Sequence, residues 1–176
     1  VWGVCYPLLI TNIAENTAAS ILGQPLPHVF TEPFVYTWIM IGGVGSTLPL
    51  CLIWWKSKSA TLREVAHLAL PCGIFNINEP IIFGTPIVLN IYLLIPFVLV
   101  PLIIGISSYL LMYMGILPLF SGVMVPWTTP PIISGLLIGG WRVALWQFVM
   151  IVVSFVIYLP FIKKIDTLEL NKENQK

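Results

Sequence analysis

Residues 80–141 run for 62 positions without a single Asp, Glu, Lys, Arg or His. Two more such runs stand on either side, 23 residues at 33–55 and 20 at 143–162. A helix at a water surface carries charge on its outer face, so runs of this length cannot shuttle between core and solvent as a soluble fold demands. The hydrocarbon core of a bilayer is about 30 Å thick and takes about 20 apolar residues of helix; each run is long enough to cross. Composition agrees: the chain is 58% hydrophobic and 9% charged, where a soluble domain is about 25% charged. The expected fold class is therefore an all-α integral membrane protein with lipid as its solvent. A net charge of +1 with no basic patch excludes a nucleic-acid partner.

Charge placement predicts orientation. Lys56, Lys58 and Arg63 form the densest basic cluster between apolar runs, and the pair Lys163 and Lys164 follows the last run. Basic residues mark the cytoplasmic side. Residues 15–32 hold no Lys or Arg and read as an outer loop, with residues 1–14 as the end of a spanning or re-entrant segment before it. Residues 33–55 read as a span, with Gly42, Gly43 and Gly45 permitting close helix contact or a local break, and Trp54 and Trp55 in an aromatic belt. The division expected is a membrane-embedded unit over 1–162 and a solvated cytoplasmic tail over 163–176. The expected protein is multi-pass, with the C-terminus on the cytoplasmic side.

Between the two basic anchors the number of full crossings must be even. Residues 66–86 contain Pro71, Gly73, Pro80, Gly84 and Pro86, and residues 119–140 contain Pro126, Pro130, Pro131 and Gly139-Gly140; helix interiors rarely carry so many breakers. Both stretches are read as re-entrant hairpins, one from each side, with 87–114 and 143–162 as spans. Four full spans give the same parity. Broken backbone at membrane depth is tolerated where protein or a wet cavity satisfies it.

The chemistry concentrates in Asn76-Ile-Asn78-Glu79-Pro80. A carboxylate in an apolar setting costs roughly 2.5–3.5 kcal/mol on insertion scales, so it has a partner or a task. Two amides and a carboxylate suit sugar hydroxyls. A residue before proline is pushed out of the α region, which predicts Glu79 at a break, facing a cavity. The structural alternative is a helix-capping Glu79 or a hydrogen bond to Asn76. In the second constellation, Val125 to Pro131, Trp127 offers a ring for a pyranose to stack on and Thr128 a hydroxyl for its rim; the alternative is an interfacial anchor. Glu15-Asn16 lie at a membrane border, or line an entry path. Glu32 is another border residue. His28 and His67 read as solvated or locally bonded, and Arg142 as a headgroup contact. Cys5, Cys51 and Cys72 lack metal or redox spacing. No metal and no cofactor is expected.

The stretch GIFNINEPIIFGTPIVLN over residues 73–90 resembles the signature of the enzyme IIC components of the lactose/cellobiose/chitobiose phosphotransferase family. LPHVFTEPF (26–34), IGGVGSTL (41–48), VPWTTPP and YLPFIKK extend the resemblance over essentially the whole chain. The resemblance implies a homodimeric sugar permease of the bacterial cytoplasmic membrane. It would bind a disaccharide such as cellobiose, lactose or chitobiose and expose the 6-hydroxyl to a phosphorylated IIB partner at the cytoplasmic face. It would not be an enzyme alone. The family Glu falls on Glu79, with Asn78 as a sugar contact and Trp127 as the stacking ring. The family's catalytic His lies upstream of the segment resembling residues 1–12, and Ile91 stands where the family usually has Pro. The chain is thus expected to be the C-terminal piece of a longer polypeptide. Two other readings are an ion-coupled sugar transporter with Glu79 as proton carrier, and an inactive truncated remnant.

Overall fold

The computed structural model describes residues 2–85 and 87–173; the helix breaker expected at Pro86 and the tail end at 174–176 lie outside the described residues. All regular structure described is helical: α1 (Trp2–Ile21), α2 (Glu32–Phe34) running into a π turn (Val35–Ile39), α3 (Leu48–Trp54), α4 (Ala60–Ile74), α5 (Glu79–Gly84), a 3₁₀ turn (Ile87–Leu89), α6 (Ile91–Tyr113), α7 (Ile133–Gly139) and α8 (Trp141–Glu173).

Two helices are long and apolar enough to cross a membrane, α6 with 23 residues and α8 with 33. At 1.5 Å per residue they measure about 34 and about 50 Å. Only 28% of the most apolar window of each is buried within the chain, so their outer faces are made for an apolar surrounding. Ile95, Leu102, Ile106 and Leu110 stand out from α6, and Leu145, Phe148, Val152 and Val156 from α8. Their inner faces meet each other, and α8 also packs on α3 and α7.

The charge-free run 33–55 is not one spanning helix. It breaks between Met40 and Thr47, where Gly42, Gly43, Gly45 and Ser46 take positive φ. Of the two options the glycines offer, the local break is realised. The reason lies in what approaches them: a Cβ on Gly43 would come within 2.4 Å of the Asn78 side chain. The freed backbone is not orphaned. Thr47 Oγ1 donates to Gly42 O at 2.8 Å, and the buried Tyr158 hydroxyl of α8 donates to Gly45 O at 2.7 Å.

α1 also departs from expectation. It continues to Ile21, so Glu15 and Asn16 are helical. Asn16 is fully buried; its amide donates to His28 O at 2.7 Å and Phe120 O at 3.0 Å and accepts from His28 N at 2.9 Å. The loop after α1 is thereby tied to the segment before α7. At the other end, α8 runs past Ile162 to Glu173, so residues 163–173 are helical. Its last turns fold the chain onto the 57–61 loop: Ser57 is hydrogen-bonded to Asp166, and Ser59 Oγ donates to Glu173 Oε1 at 2.7 Å. The same carboxylate accepts from Ala60 N at 3.2 Å and Thr61 N at 3.1 Å. It serves the free amides at the start of α4, beside the Ser59 N-cap, as an anion at a helix N-terminus does.

Candidate functional site

The sugar-type polar residues gather at the turn between α4 and α5. α4 stops at Ile74, and Asn76 takes φ +62°, a left-handed conformation that Asn tolerates better than most side chains. Its side chain is buried and fully engaged. Nδ2 donates to Trp127 O at 2.8 Å and Thr129 O at 3.0 Å, while Oδ1 accepts from Gly42 N at 2.8 Å. One amide thus joins the helix break, the α4–α5 turn and the Pro126–Thr129 turn. The sequence suggests Asn76 as a sugar contact; its amide protons are spent on the protein, and what the geometry gives it is the placing of its neighbours.

Asn78 is buried against Gly43 and donates from Nδ2 to Val44 O at 2.6 Å. Among the described residues its Oδ1 meets no donor, which leaves one acceptor for a ligand. Glu79 opens α5, with Pro80 in the first turn. The α5 arm lies against α4 through Gly84, where a Cβ would come within 2.7 Å of Val65. The break before Glu79 is as the Glu-Pro pair predicts, but the cavity is not. The residue is exposed on this chain, in the first turn of a six-residue helix. Among the described residues it has no hydrogen bond or ion pair, and Asn76, its candidate structural partner, is occupied elsewhere.

Trp127 sits in a turn closed by Thr129 N donating to Pro126 O at 2.9 Å. Its carbonyl is held by Asn76, and its indole is 45% exposed. Thr128 is half-buried and makes no hydrogen bond among the described residues. Asn76 and Glu79 are three positions apart, at most about 11 Å of chain; the contact with the Trp127 turn is made by Asn76, which lines one cleft with Trp127, while Asn78 and Glu79 are not in that cleft's lining.

A second amide hub does not stand out in the motifs. Gln147 of α8 is 1% exposed. Its Oε1 accepts from Ile132 N at 2.7 Å and Gly135 N at 3.0 Å, and its Nε2 donates to Thr37 O at 2.9 Å and Ser134 Oγ at 3.1 Å. One signal could have found it: Gln147 is the one amide in the uncharged run 143–162. Between the two hubs runs a narrow cleft with Glu32, Tyr36 and Thr37 on one wall and Trp127 and Thr129 on the other.

The remaining candidates have surroundings of their own. His28 Nε2 pairs with Glu15 at 2.5 Å, the local bond expected of it. The His67 ring packs on Trp55 at 4.1 Å between centroids. The Arg142 guanidinium lies over its neighbour Trp141. Cys51 is buried, Cys72 half-buried and Cys5 exposed, all as free thiols.

Known proteins resemble the chain throughout. Residues 3–101 match the family described as phosphotransferase system, EIIC. The lichenan permease IIC component of Bacillus subtilis (strain 168) is 42% identical, over 99% of this chain and 39% of its own length. The cellobiose-specific EIIC component of Geobacillus stearothermophilus is 42% identical, over 92% of this chain and 37% of its own. The crystal structure of the transporter ChbC, the IIC component from the N,N'-diacetylchitobiose-specific phosphotransferase system, superposes with a TM-score of 0.93 at 39% identity. That match takes in 98% of this chain and 41% of that one. The chain spans about two fifths of the length of these relatives.

Proposed function

Because the chain belongs to the EIIC family of the phosphotransferase system, we propose that it forms the sugar-holding part of a permease that passes a β-linked disaccharide inward coupled to its phosphorylation. The relatives' names point to the substrate class: lichenan, cellobiose and N,N'-diacetylchitobiose are β-linked glucose or glucosamine sugars. The observation that supports the reading is the Asn76 hub, whose amide ties the α4–α5 turn, two and three positions before Asn78 and Glu79, to the Trp127 turn.

In this mechanism one pyranose packs on the half-exposed indole of Trp127. Asn78 Oδ1, the Thr128 hydroxyl and the Glu79 carboxylate accept hydrogen bonds from its hydroxyls. A phosphorylated IIB partner then meets the sugar's 6-hydroxyl from the cytoplasmic side. Glu79 orients that hydroxyl and accepts its proton as the oxygen attacks phosphorus, which is general-base catalysis; the bond between phosphorus and the IIB side chain breaks, and that side chain leaves with the electron pair. The product's charge prevents its return. The exposure of Glu79 on this chain suits a group that faces a partner and a ligand. The phosphoryl donor belongs to IIB, so the chain is a component of a transfer system and not an enzyme by itself.

The same reading supplies the membrane arrangement. α4 and α5 form a re-entrant hairpin entering from the cytoplasm, and the irregular segment before α7 forms a second one from outside. α6 and α8 are full crossings of a multi-pass protein in the bacterial cytoplasmic membrane. Lys56, Lys58 and Arg63 at one end and Lys163 and Lys164 at the other put the C-terminus inside. The working unit is a homodimer in lipid, with residues 1–162 embedded and 163–176 on the cytoplasmic side.

The test is Glu79→Gln in the full-length protein carrying this chain, assayed for phosphoenolpyruvate-dependent phosphorylation of cellobiose in membrane vesicles. General-base help is worth about 10²–10⁴-fold, so the rate is expected to fall at least about 100-fold. Unchanged phosphorylation in that variant would refute the assignment.

A further inference from the structure

We propose that Glu32 and Thr37 form a second polar wall of the sugar site, opposite Trp127. The inference rests on the sugar-site reading above and adds residues to it. Glu32 is 8% exposed, yet among the described residues its carboxylate has no hydrogen bond and no ion pair. Thr37 is 1% exposed, and its hydroxyl is fully enclosed without a partner. An ionised carboxylate or a hydroxyl taken out of water without a partner is costly. Both residues line the cleft that Trp127 and Thr129 also line.

These two orphans are not what holds the cleft together. Gln147 grips the Thr37 carbonyl and Asn76 grips the Trp127 turn, so both walls stay in place without the Glu32 carboxylate or the Thr37 hydroxyl. What the orphans lack is a donor for Glu32 and a partner for Thr37. A ring of sugar hydroxyls supplies both, on the face opposite the indole. The free volume of the cleft is about 10 Å³, room for one water and not for a pyranose. Entry of the sugar therefore requires the Trp127 turn to move away from α2. That turn belongs to a stretch without regular secondary structure, from Leu117 to Ile132.

The experiment measures cellobiose binding by calorimetry and cellobiose phosphorylation kinetics on the purified full-length protein, as wild type, Glu32→Gln and Thr37→Val. Thr37→Val removes an unpaired hydroxyl at constant shape. It is expected to melt at or above the wild-type temperature while binding cellobiose about 5- to 10-fold more weakly. Glu32→Gln is expected to raise Kd and KM about 10- to 100-fold and leave kcat within about twofold. Wild-type affinity in both variants overturns the proposal. If Glu32→Gln fails to fold, Thr37→Val decides alone: normal affinity there is equally fatal. Wild-type protein that binds none of cellobiose, lactose and N,N'-diacetylchitobiose defeats the underlying reading, and the inference falls with it. Binding that survives Glu32→Gln and Thr37→Val but is lost in Trp127→Ala keeps that reading and rejects only the second wall.

Discussion

Asn76 spends its whole amide on three backbone groups, two of them more than 50 residues away in sequence. Removing that side chain leaves a buried amide and two carbonyls with nothing to pair with, and each such group costs about 1–3 kcal/mol. Asn76→Ala is expected to lower stability by about 2–4 kcal/mol and to weaken cellobiose binding, read by thermal unfolding in detergent and by calorimetry. Asn76→Gly keeps the left-handed backbone without strain and should recover part of the stability but none of the binding. A wild-type melting temperature for Asn76→Ala would show that the three bonds hold nothing. Asn78, Glu79 and Trp127 stand out in the sequence as candidates because a carboxylate, an amide and an indole in an apolar run each call for a reason. The role of Asn76 is not, since nothing in Asn-Ile-Asn-Glu says which amide faces ligand and which faces the distant backbone of Gly42 and Trp127. Glu32 reads as a border residue for the same reason. Its burial depends on a cleft formed with a segment almost a hundred residues further on.

At the scale of the elements, breakers are easier to read than ends. Pro80 and Gly84 mark a hairpin with a short second arm, and the prolines around Trp127 mark a stretch with no regular structure. The run 33–55 is apolar enough to span, yet it breaks, because apolarity cannot tell a helix crossing lipid from a helix interrupted inside protein. Only the glycines in its middle hint at this, and the Asn78 side chain packed against Gly43 is the cause. Charge alone does not show where α8 ends. Its last residues are polar, but Glu173 has α4 amides to cap. Those bonds, from Ser59 first and then Thr61, hold the Glu173 carboxyl down to about 2 from the ordinary 4.5. A group whose pKa is lower folded than unfolded adds stability above its unfolded pKa and loses it as pH falls toward the folded one. Hydrogen-exchange protection at Ala60 and Thr61, corrected for intrinsic rate, is therefore expected to be flat from pH 7 to 5. It should decline between about pH 4.5 and 2. Glu173→Gln should show reduced protection at neutral pH and no such decline. An identical profile in the variant would mean that the cap is idle.

On the scale of the whole molecule, two long helices with apolar outer faces carry a set of short, broken elements between them. The division of labour follows from the backbone. Long helices satisfy their own hydrogen bonds and can face lipid. The broken pieces cannot, and at their breaks Asn16, Asn76 and Gln147 satisfy freed amides and carbonyls. That arrangement leaves the interior with backbone turns and unpaired side chains of a kind that suits a polar solute, and the spacing of charge-free runs and breakers in the sequence foretells this much. The central claim is that one sugar touches both the α4–α5 turn and the Trp127 turn. The most direct measurement is a structure of the full-length protein with cellobiose bound. The account predicts a pyranose ring stacked on the Trp127 indole with its 6-hydroxyl within hydrogen-bond distance of the Glu79 carboxylate, about 2.6–3.2 Å. A sugar seated elsewhere, with Trp127 and Glu79 both bare of it, would contradict the account.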